Sequence, residues 1–239
     1  MQLKIKKNPN LGENDMFTHI DPFFSIPKLS SQNRDGFRYY SIDGKSYPSV
    51  TSVLSLLSKD SIRAWRDSIG HDVADFESRR AANRGTAFHK ICEHYLCNKD
   101  ISDFRKKVLP FGLFNLVKNE IDRIDNVHSL EQTLFSHSLK LAGRVDCVAE
   151  FDDVLSIIDF KSANKAKTPQ ILENHLLQET AYAIMWNDLV DKPVEQIVTI
   201  VACENGETQT VIEKPQFFKK KLEDVIDTFF NTKFNEVRI

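Results

Sequence analysis

The sequence contains no apolar run approaching the ~20 residues that a membrane-crossing helix needs, which excludes a helical membrane span. Cysteine is scarce. The four present, Cys92, Cys97, Cys147 and Cys203, contain no CxxC pair, so buried free thiols are expected rather than a disulfide framework or a metal ribbon. Glycine and proline number only eight each. No Gly/Ser/Pro-rich linker, low-complexity tract or internal repeat divides the chain. Neither sign of charge prevails: 32 basic against 34 acidic side chains leave a formal charge of −2. A total this close to zero neither demands nor excludes nucleic acid, because a binder of phosphates needs its positive charge gathered in one place. Residues 1–17 hold no arginine and no apolar stretch, and they include Glu13 and Asp15. Neither a secretory nor a mitochondrial targeting segment is expected there, and a cytoplasmic location is.

What is present reads as globular. Hydrophobic residues make up 41% and charged residues 28% of 239, enough for one elaborated domain with a sizeable core. The first 36 residues read as irregular. Tyr39–Ile42 and Lys45–Tyr47 flank Asp43-Gly44, a tight-turn hairpin signal. From residue 48 to about 125 the pattern is mostly helical, clearest where Phe88, Ile91, Cys92, Tyr95 and Leu96 form one apolar stripe. Three β-rich runs follow, Gln132–Leu139, Leu141–Phe151 and Val154–Lys161, the last two joined by Asp152-Asp153. A long helix is expected over Pro169–Val190, a hairpin over Glu195–Cys203 and Thr208–Glu213, and a closing amphipathic helix over Phe217–Phe234. Helices, three sequential strands, a crossover helix and further strands predict an α/β sandwich around a mixed sheet.

The chemistry concentrates on the third run, Leu155-Ser156-Ile157-Ile158-Asp159-Phe160-Lys161. Alternation along a strand points Asp159 and Lys161 to one face and Phe160 to the other. Asp146, on the preceding run, has the spacing to meet Asp159 across the hairpin. Two converging carboxylates suit a hard, oxygen-seeking ion such as Mg2+ or Mn2+. Such an ion lowers the pKa of a bound water and neutralises the charge that builds up when a phosphodiester is cleaved, while a lysine positions the nucleophile. A lone DxK is ordinarily a surface ion pair, and a lone histidine such as His89 is ordinarily a packed or solvated one. Lys219-Lys220-Lys221 reads as a solvated face, and Trp65 and Trp186 as core residues.

DxK is not alone here. Gly143-Arg144-Val145-Asp146, Ile158-Asp159-Phe160-Lys161 and Gln178-Glu179-Thr180-Ala181-Tyr182 follow one another, preceded by Arg84-Gly85-Thr86-Ala87-Phe88-His89 with Glu93. GxxD, DxK and QxxxY in this order resemble the RecB-like exonuclease branch of the PD-(D/E)XK nuclease superfamily, from about residue 47 to 213. The compact length looks like that of phage-encoded members, which would work in a bacterial host cytoplasm. Val145 stands where the superfamily's name has proline, and Asp159 is the shorter of its two acids.

The resemblance implies a restriction-endonuclease-like core of αβββαβ order within residues 48–239, with 48–125 as a helical cap or arch and 126–239 as the catalytic sheet and helices. It implies metal ligation by Asp146, Asp159, the Phe160 carbonyl and His89, and a catalytic set of Asp146, Asp159 and Lys161. Gln178 and Tyr182 would flank the site, with Gln178 touching Lys161 or a phosphate. Arg84, Lys165 and Lys167 would contact DNA, and Glu131 and Glu93 are secondary candidates. The expected cofactor is Mg2+ or Mn2+. The iron–sulfur cluster of some RecB-like proteins is not expected, because the cysteine spacing differs. The implied activity is exonucleolytic cleavage of single-stranded DNA with free ends. A structure-selective endonuclease and a catalytically silent DNA-binding module of a recombination complex are the alternatives.

Overall fold

A computed structural model describes residues 16–20, 29–190 and 192–236. The small N-terminal sheet comprises β1 (Ser31–Arg34), β2 (Phe37–Ile42) and β3 (Lys45–Pro48), all antiparallel. β1 lies in the stretch expected to be irregular. Its four residues, Ser-Gln-Asn-Arg, are all exposed, so hydrophobic alternation could not reveal it; it forms by pairing on β2. Helices α1 (Val50–Leu54), α2 (Lys59–Ile69), α3 (His71–Leu96) and α4 (Val108–Ile121) follow. Ser49 starts α1 by accepting the Ser52 backbone N–H at 3.0 Å.

The central sheet has five strands in the order β4 (Ile124–Ser136), β5 (Leu141–Phe151), β6 (Val154–Ala163), β7 (Gln196–Cys203) and β8 (Thr208–Glu213). β6 and β7 are parallel and every other neighbour is antiparallel. The parallel step requires a crossover, which α5 (Pro169–Leu189) provides, opening on a proline at its first turn. Asp152 and Asp153, both left-handed at φ 51° and 64°, close the β5–β6 hairpin as a two-residue turn. α6 (Lys219–Glu236) ends the described chain. β4 begins eight residues before the expected start and the helix ahead of it ends at Ile121. The backbone register shifts between Asp125 and Ser129, which breaks the alternation there.

Each sheet face carries its own helices. Val53 of α1, Leu177, Tyr182 and Met185 of α5 and Phe229 of α6 pack with Val145, Val148 and Ile157. On the other face Phe88 and Ile91 of α3 and Phe114 and Val117 of α4 pack with Cys147, Ile158, Phe160 and Ile200. Each fully buried side chain of this size contributes roughly 1.5–3 kcal/mol. α3 and α4 are therefore a helical layer packed over one face of the sheet, while α2 buries no side chain. Trp186 is in the core as expected, but Trp65 on α2 is 38% exposed. All four cysteines are free; Cys97 lies just past the end of α3, and the other three are buried.

Candidate metal centre

The β5–β6 ladder ends at Cys147 opposite Ile158. One step further, Asp146 and Asp159 are the next opposing residues, at the point where the two strands part. α3 reaches this point from one side and α5 from the other. The side chains converge at the wall of a cavity of about 920 Å³ lined by His89, Glu131, Asp146, Lys161, Gln178 and Tyr182, among others.

Asp146 is held on one oxygen. Its Oδ2 lies 3.2 Å from His89 Nδ1 and accepts the Phe160 backbone N–H at 3.1 Å. Burial alone would raise its carboxyl, but the His89 imidazole and the Lys161 ammonium more than offset this and hold it below the usual carboxylate range. Burial likewise works against the His89 cation, and Asp146 outweighs it, so the imidazole is raised.

Glu131 completes a cluster with these two: ligand atoms of His89, Glu131 and Asp146 all lie within 4.8 Å of one another. Glu131 occupies the left-handed region at φ 51°, a conformation costly for a residue with a Cβ. Its carboxylate meets Arg144 Nε at 2.9 Å. Burial, then the charge of Asp146, pushes its carboxyl up. Crowded carboxylates beside an imidazole nitrogen form a donor set of oxygen and nitrogen that fits a divalent cation, whose charge would relieve that crowding.

Asp159 is buried and lies outside this triplet. Its Oδ2 pairs with Lys161 Nζ and its Oδ1 accepts from Gln178 Nε2 at 3.3 Å. Burial raises its carboxyl to about 6, against the lowering effect of Lys161. Burial also opposes the Lys161 charge, but Asp159 and Asp146 prevail and keep the ammonium protonated. Gln178 thus binds Asp159, where the sequence pointed to Lys161 or a phosphate. Its neighbour Tyr182, one turn along α5, is 3.5 Å from Gln178 Nε2 and packs its ring on Gly143.

The remaining expected residues divide. Glu93 lines the cavity and is paired with Lys90 at 2.8 Å. Phe160 offers its N–H to Asp146 and buries its ring against α3 and α4. Arg84, expected to meet DNA, is 7% exposed and bound to partners within the protein. Its guanidinium binds Glu204, Asn164 Oδ1, Ser162 Oγ and the Ser162 carbonyl. It clamps α3 to the ends of β6 and β7, with four of its five N–H donors committed inside the protein. Lys165 is exposed. Lys167 exchanges two backbone bonds with the Gln209 amide, and burial lowers its ammonium. Neither lysine lines the cavity.

Sequence reasoning did not flag His175 or Glu179. Both lie on α5 beside Gln178. Burial pushes His175 down to about 3 and Glu179 well up, with Thr199 Oγ1 donating to it. Their signal was polar residues on a helix face that otherwise packs on the sheet.

A family model described as the PD-(D/E)XK nuclease superfamily matches residues 61–237. The chain belongs to this superfamily. The five-stranded mixed sheet with helices on both faces is consistent with that fold. The chain is also similar to mitochondrial genome maintenance exonuclease 1 of three vertebrates. It is 26% identical to the mouse protein over 160 residues, 62% of this chain and 47% of that one. Identity to the Xenopus tropicalis protein is 29% over 171 residues, 66% of this chain and 49% of that one. To the human protein it is 26% over 129 residues, covering 50% and 38%. The superfamily member described here thus spans less than half the length of each relative. Among the described residues, no helix is long and apolar enough to cross a membrane.

Proposed function

We propose that this protein is a divalent-metal-dependent deoxyribonuclease that removes nucleotides from the free ends of single-stranded DNA. One observation carries the reading: His89, Glu131 and Asp146 come within ligating distance of one another beside the Asp159–Lys161 pair in a large open cavity. The similarity to exonucleases in three vertebrates supports the choice of DNA and of end-directed cleavage.

In this reading His89, Glu131, Asp146 and Asp159, with the Phe160 carbonyl, would hold Mg2+ or Mn2+. When bound, the ion lowers the pKa of water and neutralises charge on the reacting phosphate. The chain's own groups do the positioning. His89 and the Phe160 N–H fix Asp146. Gln178 fixes the far oxygen of Asp159, which leaves Lys161 with a single rigid partner. Lys161, held against Asp159, would orient or activate the attacking water. The water oxygen joins phosphorus, the opposite P–O bond breaks, and the proton that the water gives up passes to solvent, from which the departing oxygen takes one up. α2 and the adjoining turns of α3, the least buried part of the expected cap, would bound the path of the strand.

The test compares linear and circular single-stranded DNA, end-labelled where ends exist, with Mg2+ or Mn2+ and with chelator. The expected result is metal-dependent release of short nucleotides from linear DNA and intact circles. Efficient cutting of circles into internal fragments would replace this reading with the endonuclease one.

A further inference from the structure

A polyanion approaching Glu131, Asp146 and Asp159 must be anchored by cations not already committed to protein acids. Five cations line the central cavity: Arg38, Lys90, Lys107, Arg144 and Lys161. Three are committed, Lys90 to Glu93, Arg144 to Glu131 and Lys161 to Asp159. Arg38 and Lys107 make no ion pair with any described residue; Lys107 only approaches the Phe104 ring, its Nζ 5.8 Å from the centroid. Both are exposed.

Their placement adds a second, independent fact. Each belongs to the central cavity and also to a groove that continues it. Lys107, with Asn83 and Ala87, is shared with a groove of about 660 Å³ whose apolar surface includes Phe76, Leu109 and Pro110 and whose edge carries Arg79, Arg80 and Arg84. Arg38, with Thr51, is shared with a polar groove of about 370 Å³ bordered by Asn33 and Ser55 on the small sheet and the end of α1. Arg38 and Lys107, the cations of the central cavity without an ion pair, therefore stand at the two junctions, one groove offering apolar surface to bases and the other hydroxyls and an amide to a sugar–phosphate chain.

We infer that Arg38 and Lys107 are backbone anchors bracketing the metal centre, so that one strand runs from the Phe76 groove through the central cavity into the Asn33–Ser55 groove. This deepens the proposed function and rests on its claim that DNA is the substrate. The Arg38 backbone N–H is tied to Ser52 Oγ at 2.9 Å whatever its side chain, so replacing the guanidinium spares the local fold.

The experiment uses the full chain carrying Asp146→Asn to prevent cleavage, and measures binding of a labelled oligothymidylate by fluorescence anisotropy across a salt series. Arg38→Gln and Lys107→Gln should each weaken binding and each reduce the slope of log affinity against log salt by about 0.7, the single-strand value per phosphate contact. The double variant should lose about twice that, and Lys220→Gln, exposed on α6 and lining none of these grooves, nothing. If either single variant leaves affinity and slope unchanged, the bracketing is wrong although DNA binding stands. If the Asp146→Asn protein binds no DNA at any salt concentration, the substrate reading itself falls and the anchors fall with it.

Discussion

A Cβ built on Gly143 would lie 2.6 Å from Tyr182 Cε1 and 3.0 Å from its hydroxyl. The glycine of GxxD is therefore a steric requirement of the tyrosine in QxxxY, and the two motifs meet in one contact. Gly143→Ala must push the ring back toward Gln178 and, through it, Asp159. Overpacking of this kind costs roughly 1–3 kcal/mol; the expected outcome is a lowered urea midpoint with activity falling at least as steeply. Lys161→Ala should cut kcat by about 100-fold or more, while circular dichroism and single-strand binding stay close to wild type; Lys161→Gln, which can still donate to Asp159, should be equally slow. At this scale the sequence was informative where spacing sets geometry. Asp159 and Lys161 share a face because strands alternate, and Gln178 and Tyr182 because helices repeat. Glu131 was faint in sequence because its place in the cluster depends on a left-handed backbone that no local pattern announces. Arg84 was misplaced because its partners, Glu204, Asn164 and Ser162, lie on distant segments.

Among elements, Arg84 joins α3 to the strand ends that carry the DxK motif. Arg84→Met would leave Glu204 with only Arg80 and should cost about 2–3 kcal/mol, somewhat less than loss of a wholly buried pair. Arg84→Lys should not rescue it, since three donors on a single nitrogen cannot span the four acceptors that the guanidinium fork reaches; urea unfolding checks both. His128 on β4, edge-on to Trp186 of α5 at 6.2 Å, tests the packing of that helix on the sheet. Burial lowers its imidazole from 6.5 to about 4. The unfolded chain therefore takes up this proton at a higher pH than the folded one. The stability it confers is complete above about pH 6.5 and is lost as pH falls toward 4. His128→Leu should remove roughly 2 kcal/mol of the destabilisation seen between about pH 7 and pH 5, on the order expected from that shift. If both proteins lose stability equally over that interval, His128 is not neutral in the fold. Elements with strong alternation or clear punctuation, such as the β5–β6 hairpin and α5, were legible to within two residues; β1 and the first residues of β4 were not, because one is wholly polar and the other carries a register shift.

For the whole molecule, the two faces of the sheet divide the work. α1, α5 and α6 on one face present Gln178 and Tyr182, and α3 and α4 on the other present His89, so the centre forms only where β5 and β6 part between them. Sequence order alone indicated the mixed sheet, since three strands before a long helix call for a parallel return. That α3 and α4 would be a layer of the sandwich could not be read from helical periodicity, which reports an apolar stripe without naming what covers it. The central claim is that this junction holds a divalent ion. Anomalous scattering from crystals soaked in manganese tests it most directly: the account expects a peak among His89, Glu131 and Asp146 that disappears in Asp146→Asn, and a map with no peak there, or one unaffected by the substitution, would contradict it.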